Sequence, residues 1–303
     1  MATANRLAMN SIVCGDAHEV LSAWPDGLVD CIVTSPPYFR QRDYEGHRQQ
    51  VGLEASPTEY VQRLVGIFRE CRRVLKSTGS LWLVIGDKYD DGRLLGMPWR
   101  VALALADDGW TLRADCIWHK PNAMPSSVKT RPTVDHEYIF FFTRSSDYYY
   151  NADAIREPHV TFSPTSRMRG GRRHFGQRGG TPEAGKNGGS NNLHDGRWDQ
   201  AFHPLGRNKR TVWSIPLSKY RDAHFAVFPE TLVETCVQAS CPEGGVVLDP
   251  FSGSGTTAVV ARRLGRQYLG IDCAPEYCEL ARKRLADSPA KPKPNRKPEV
   301  AGG

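Results

Sequence analysis

Val246-Val247-Leu248-Asp249-Pro250-Phe251-Ser252-Gly253-Ser254-Gly255-Thr256-Thr257 is the stretch from which the fold of this chain is read. Three apolar residues closing on Asp249 predict a short buried strand. Gly253 and Gly255 then predict a tight turn. Thr256 is expected to be the N-cap of a helix that runs through Ala258 to Leu264. Strand, glycine turn and helix start make a nucleotide-binding corner, because glycine lets backbone approach a ligand and a helix start offers free N–H groups. The turn lacks a Gly-Lys-Ser/Thr ending, which argues against a triphosphate loop. Glycine turns after strands are common, so an ordinary structural turn is the alternative.

The following segment narrows the choice. Arg266 to Ile271 predicts a second strand, which Asp272 ends. In doubly wound folds an acidic residue about 20 positions beyond the glycine turn binds ribose hydroxyls. A capping or surface aspartate is the plainer reading.

Upstream, residues 7–14 predict a strand, followed by a short helix near His18 to Trp24. Leu28 to Val33 predicts a buried strand that runs into Thr34-Ser35-Pro36-Pro37-Tyr38. Tyr60, Leu64, Ile67, Phe68, Cys71 and Leu75 share one face of an amphipathic helix over 57–76. Ser80 to Ile85, Trp110 to Trp118 and His136 to Thr143 predict further strands, with a helix over Pro98 to Ala106. A helix is expected after Pro229, within Phe225 to Cys241, and another over Pro275 to Ala286. Strands alternating with helices imply an α/β domain, its sheet mostly parallel and covered by helices on both faces.

Composition bounds the class. The 303 residues hold 40 Lys and Arg against 33 Asp and Glu, a formal charge of +7 that favours a polyanionic partner without showing one. No apolar run approaches the ~20 residues of a membrane span and no leader is evident, so a cytoplasmic protein that meets no membrane is expected. The eight cysteines lie in apolar segments and suit buried thiols in a reducing compartment. Cys236/Cys241 and Cys273/Cys278 are too widely spaced for usual zinc pairs, and no metal is expected. Between Val160 and Val212 apolar periodicity disappears. Ten glycines accompany Arg167, Arg169, Arg172, Arg173, Arg178, Lys186, Arg197, Arg207, Lys209 and Arg210, against only Glu183, Asp195 and Asp199. A solvated insertion would look the same, but on a phosphate backbone these arginines would supply salt-sensitive affinity. Ser288 to Gly303, rich in Pro and Lys, predicts a disordered tail.

Ser35-Pro36-Pro37-Tyr38 is the most specific signal. It follows the C-terminal end of a strand, where ligands sit in open α/β sheets. Two prolines stiffen the turn and remove two backbone donors. Ser35 and the Pro36 carbonyl can accept hydrogen bonds, and Tyr38 offers a flat face, which suits a planar substrate carrying an amino group. A purely structural turn is again the alternative.

Together the two motifs resemble the amino-group DNA methyltransferases, which act on cytosine N4 or adenine N6. The similarity spans about residues 10 to 286. It implies a Rossmann-like S-adenosyl-L-methionine-dependent fold, with Ser35, Pro36, Pro37 and Tyr38 as the catalytic motif. It further implies that Thr34, Asp249, Pro250, Phe251, Ser252, Gly253, Ser254, Gly255, Thr256 and Thr257 belong to the cofactor site. Asp272 would hold the ribose, Asp16 the adenine end, and His224 and Phe228 would close over the methionine part. The catalytic motif precedes the glycine motif, the circularly permuted order of the beta group, whose intervening insertion recognises the target. The expected organisation is a catalytic part over 7–155, a target-recognition insertion over 156–215, a cofactor part over 216–286 and a tail over 287–303.

The resemblance implies double-stranded DNA as partner, Arg167, Arg169, Arg172, Arg173, Arg178, Arg207, Lys209 and Arg210 as DNA contacts, and leaves a homodimer open. Holding amino nitrogen and methyl donor in line can supply roughly 7–11 kcal/mol of the barrier, and the base must flip out of the duplex. No Pro-Cys nucleophile appears, which argues against covalent cytosine-C5 chemistry. By the same resemblance, Ser35 in the first motif position is commoner among cytosine-N4 enzymes, although adenine-N6 members with this form exist, which favours cytosine slightly. Trp118 to Asn122 is a further candidate for the pocket wall, although His119 could be an ordinary surface histidine. The rival readings are an RNA or protein-glutamine methyltransferase, a DNA-binding regulator without catalysis, and, more weakly, a Rossmann dehydrogenase.

Overall fold

The computed structural model describes residues 7–41, 50–158, 205–217 and 228–288. The chain divides into two compact units, one of residues 1–150 with 211–303 and one of residues 151–210. In chain order the elements are β1 (Ser11–Cys14), α1 (Ala17–Ser22), β2 (Val29–Thr34), α2 (Pro57–Val74) and β3 (Leu75–Ile85). A small hairpin follows, β4 (Tyr89–Asp90) and β5 (Arg93–Leu94), then α3 (Met97–Asp107), β6 (Thr111–His119) and β7 (His136–Thr143). The described chain ends with β8 (Val212–Ser214), α4 (Glu230–Ser240), β9 (Val246–Asp249), α5 (Thr256–Arg263), β10 (Gln267–Asp272) and α6 (Pro275–Asp287).

Eight strands form one sheet in the order β1-β10-β9-β2-β3-β7-β6-β8. Among these described strands only β7 runs against its neighbours, pairing antiparallel with β3 and β6. The sheet is therefore mixed and mostly parallel, as the alternating pattern implies. β8 lies within the span expected to be insertion, yet it pairs with β6 and belongs to the sheet.

Both faces are covered, which explains why β2 and β3 read as near-continuous apolar runs. Leu81, Leu83 and Ile85 of β3 join Leu64, Phe68 and Cys71 of α2 and Val101 and Leu105 of α3 in one buried cluster. Trp82 points to the opposite face, where its indole N–H donates to Ser240 Oγ of α4 (2.7 Å). α2 starts at Pro57 as expected, with the Ser56 hydroxyl accepting the Glu59 N–H (3.2 Å), but it ends at Val74, and Leu75, expected on the helix face, opens β3 instead.

Sheet order decides where the site sits. β2 and β9 are parallel neighbours, with Ile32 opposite Leu248. Two motifs more than 200 residues apart in the chain thus leave the sheet side by side. The thiols are mostly interior, with Cys31, Cys71, Cys116, Cys236, Cys241 and Cys278 buried; Cys14, however, is exposed. It lies at the outer end of the edge strand β1, where the sheet gives it no second neighbour among the described strands. Burial pushes the Cys241 thiol up to about 12.

Candidate active site

A cavity of about 400 Å³ opens where β1, β10, β9 and β2 end, a size within the range of small-molecule sites. Ser35, Pro36, Pro37 and Tyr38 line one side of it. Pro250, Phe251, Ser252, Gly253, Ser254 and Thr256 line another, with Asp16, Asp272 and Phe228 completing the wall. The two loops read from the sequence thus share one cavity.

What joins them is Asp249. Its side chain is 2% exposed and accepts the Thr34 hydroxyl on one oxygen (2.6 Å) and the Thr257 hydroxyl on the other (2.8 Å). The Phe251 N–H also donates to it (3.1 Å). The same Thr257 hydroxyl, whose one hydrogen goes to the nearer Asp249, also lies 3.2 Å from the Val33 carbonyl. Burial raises the Asp249 carboxyl to about 6, and the three donors offset only part of that rise. Thr34, Asp249 and Thr257, all assigned to cofactor contact from the sequence, therefore lie behind the cavity wall. Their polar atoms hold the two loops to each other.

The glycine turn departs from expectation at the helix start. Gly255, in left-handed backbone (φ 79°), occupies the N-cap position, and Thr256 is already the first helical residue. A Cβ at Gly255 would lie 2.8 Å from that of Ala281, so α6 leaves no room for a side chain there. Arg284 of α6 donates to the Ser254 carbonyl (2.9 Å), the Ser254 hydroxyl (2.8 Å) and the Thr256 hydroxyl (3.1 Å). Asp272 accepts the Gly253 N–H (2.7 Å) and the Ala274 N–H (3.0 Å). These bonds fix the loop as a rigid cradle.

The cradle fits a nucleoside-type cofactor. Ser252 Oγ is buried and has no hydrogen-bond partner among the described residues, which leaves a polar atom suited to a ligand. Asp272 and Asp16 bring carboxylates to the wall, and a carboxylate has about four acceptor positions, more than their backbone partners occupy. Asp16 meanwhile caps α1 by accepting the His18 (2.8 Å) and Glu19 (3.1 Å) N–H groups.

The Ser-Pro-Pro-Tyr turn is held from outside by Tyr60, whose hydroxyl donates to the Pro37 carbonyl (2.9 Å). Ser35 Oγ pairs with Tyr38 Oη (3.2 Å), and Tyr38 Oη donates to Glu137 Oε2 (2.6 Å). Lys120 bonds the other Glu137 oxygen. Gly86, just beyond β3, gives the tyrosine its place, because a Cβ there would lie 2.7 Å from the ring. Burial, then the adjacent Glu137 carboxylate, pushes the Tyr38 phenol well above its ordinary value.

Sequence reasoning missed Glu137, Gly86 and Arg284. The only signals were an acid at the start of an apolar strand, a glycine after one, and an arginine in a charged helix. It reached Trp118 and Lys120, which line the cavity. His119 is not in the wall; it pairs with Ser214 Oγ (3.1 Å) and lies 3.6 Å from Asp135. Arg167, Arg169, Arg172, Arg173, Arg178 and His224 lie outside the described residues. In the second unit Arg207 and Lys209 meet Glu157 at 3.2 and 3.1 Å, and Arg210 is exposed.

Asp249 carries a pH signature. An acid whose folded value lies above its ordinary value binds its proton more tightly in the folded chain than in the unfolded one. Its contribution to stability is therefore lost as pH rises from about 4 to about 6. Unfolding free energy of the wild type, measured against Asp249→Asn by urea titration, should fall on the order of 3 kcal/mol across that window. A difference that stays flat with pH would contradict the assignment.

Comparison with known proteins agrees with this geometry. Residues 29–283 match the N6/N4 family described as DNA methylase. The chain is 41% identical over 300 residues to the type II methyltransferase M.Cfr9I of Citrobacter freundii, covering 89% of this chain and 86% of that protein. It is 38% identical over 303 residues to M.SmaI of Serratia marcescens, covering 90% of each. A putative DNA modification methylase of Thermus thermophilus, crystallised with S-adenosyl-L-methionine, superposes with a TM-score of 0.57 at 26% identity, over 92% of this chain and 95% of that one. The chain belongs to the DNA methylase family: it is a DNA amino-methyltransferase that uses S-adenosyl-L-methionine.

Proposed function

We propose that the enzyme methylates the N4 amino group of cytosine within a specific duplex sequence, with the base extruded into the cavity beside Ser35. The observation that carries this reading is the Thr34–Asp249 hydrogen bond (2.6 Å). It supports a donor loop and an acceptor loop held at a fixed spacing in one cavity. Bound there, S-adenosyl-L-methionine supplies a methyl group already activated by its sulfonium.

In this reading Asp272 and Asp16 accept hydroxyl and amino hydrogens of the cofactor, while Phe251 and Phe228 give it apolar walls. The Ser252 hydroxyl and the loop from Gly253 to Thr256 receive its polar end. Ser35 and the Pro36 carbonyl accept the two hydrogens of the target amino group, directing the nitrogen lone pair toward the methyl carbon. No described residue is bonded to the Pro36 carbonyl, which is consistent with that role. Tyr38 has one ring edge against Gly86, and stacking on a base could return roughly 1–3 kcal/mol toward flipping. The serine at position 35 is what favours cytosine N4 over adenine N6.

The basic segment over 156–215 is proposed to read the duplex, with Arg167, Arg169, Arg172, Arg173, Arg178 and Arg210 on phosphates or base edges. Arg207 and Lys209 both meet the single Glu157 carboxylate, which leaves one positive charge over, and they stay among the proposed DNA contacts. Action on chromosomal DNA in the cytoplasm, by a monomer or a homodimer, belongs to the same proposal.

Nucleosides from plasmid methylated by the purified enzyme should contain N4-methylcytosine by mass spectrometry, and Ser35→Ala should lower its formation about 100-fold or more with cofactor affinity near normal. N6-methyladenine as the product would overturn the choice of base, and undiminished turnover would remove Ser35 from the mechanism. Deleting residues 165–205 should spare cofactor binding, measured by calorimetry, and abolish the preference for the mapped site in filter binding. Retained preference would refute the role given to the insertion.

A further inference from the structure

Every hydroxyl in the chain Ser35–Tyr38–Glu137 has a direction that can be worked out. Lys120 has only donors, so its ammonium takes one Glu137 oxygen. The other oxygen of the paired carboxylate is an acceptor, and at 2.6 Å it takes the Tyr38 hydrogen. Tyr38 Oη has then spent its only hydrogen and can only accept from Ser35, 3.2 Å away. Ser35 has in turn spent its own hydrogen on Tyr38. What it turns toward the cavity, which it lines, is lone pairs alone.

We propose that Glu137, fixed by Lys120, is a positioning residue that sets the polarity of this hydroxyl chain, so that Ser35 admits a base edge bearing an amino group and rejects one bearing a carbonyl. A serine hydroxyl by itself accepts from one and donates to the other equally well. The selectivity therefore resides in Glu137 and Lys120, which come from β7 and the end of β6 rather than from the motif. Half-buried Tyr38, its phenol pushed well above its ordinary value and so kept neutral, carries the direction from the acid to the serine. The inference rests on the reading of Ser35 as the group that meets the target amino nitrogen.

Glu137→Gln reverses the chain. Lys120 claims the amide oxygen, which turns the amide N–H toward Tyr38 Oη. Tyr38 then donates to Ser35, and Ser35 donates into the cavity. Tyr38→Phe breaks the chain with the ring in place, leaving the Ser35 hydroxyl free to rotate.

The test compares binding of two duplexes carrying the mapped site, one with the target base and one with its amino group replaced by a carbonyl (uracil for cytosine, hypoxanthine for adenine). Fluorescence anisotropy with saturating cofactor analogue should show the wild type preferring the amino base at least tenfold more strongly than Glu137→Gln does. The difference between variants cancels the pairing energy of the bases themselves. Turnover should fall about 100-fold in Glu137→Gln and about tenfold in Tyr38→Phe. The double variant should recover to the Tyr38→Phe rate, because a reversed chain can act only through the tyrosine hydroxyl. Unchanged discrimination in Glu137→Gln would overturn the proposal, as would a double variant whose losses multiply. If Glu137→Gln fails to bind cofactor, Tyr38→Phe alone decides: full turnover and wild-type discrimination would refute it. A wild type that methylates this site yet does not discriminate would instead overturn the placement of Ser35 against the amino group.

Discussion

A carboxylate buried at the centre of a sheet is costly unless several donors converge on it. Asp249 has three, and each belongs to a different part of the site: the end of β2, the first turn of α5 and the loop between. Burial still raises its carboxyl to about 6. The consequence of this arrangement is geometric. The loop that follows β2 and the loop that follows β9 cannot move apart without leaving a buried carboxylate short of partners. Two reactants held on these loops would meet at a spacing the fold has already set, and such positioning can supply roughly 7–11 kcal/mol of the barrier.

Outside this junction, each loop has its own support. The glycine loop is fastened by Arg284 from α6 and by Asp272 from β10. The Ser-Pro-Pro-Tyr turn is fastened by Tyr60 from α2 and by Glu137 from β7. The two networks are joined through Asp249 and its threonine partners. On the proposed roles, the glycine loop would hold the donor rigidly while the hydroxyl chain behind Ser35 would tune the acceptor side.

Much of this was legible in the sequence, and the limits have physical causes. Buried strands with both faces covered are apolar throughout, so β2, β3 and β9 stood out, and the sharp turns after them announced themselves through Gly253, Gly255 and the two prolines. The helix start was misplaced by one residue because threonine is an ordinary cap, whereas the left-handed backbone and the packing of Ala281 together explain why glycine takes that position. Thr34, Asp249 and Thr257 sit inside the recognisable motif, yet a motif does not reveal which of its side chains face the ligand and which face each other. Glu137, Lys120 and Arg284 act through contacts made by strand order and helix packing, and no local pattern encodes those.

On the proposed reading one cavity holds both reactants, and the carboxylate of Asp249 fixes the distance between them. The most direct measurement is a crystal structure with a cofactor analogue and a duplex bearing the methylated site. In that complex the target base should lie out of the helix, its amino group at hydrogen-bond distance from Ser35 Oγ, with the analogue's sulfur-side end seated on Ser252 to Ser254. A base left stacked in the duplex, or an analogue bound away from that loop, would contradict it.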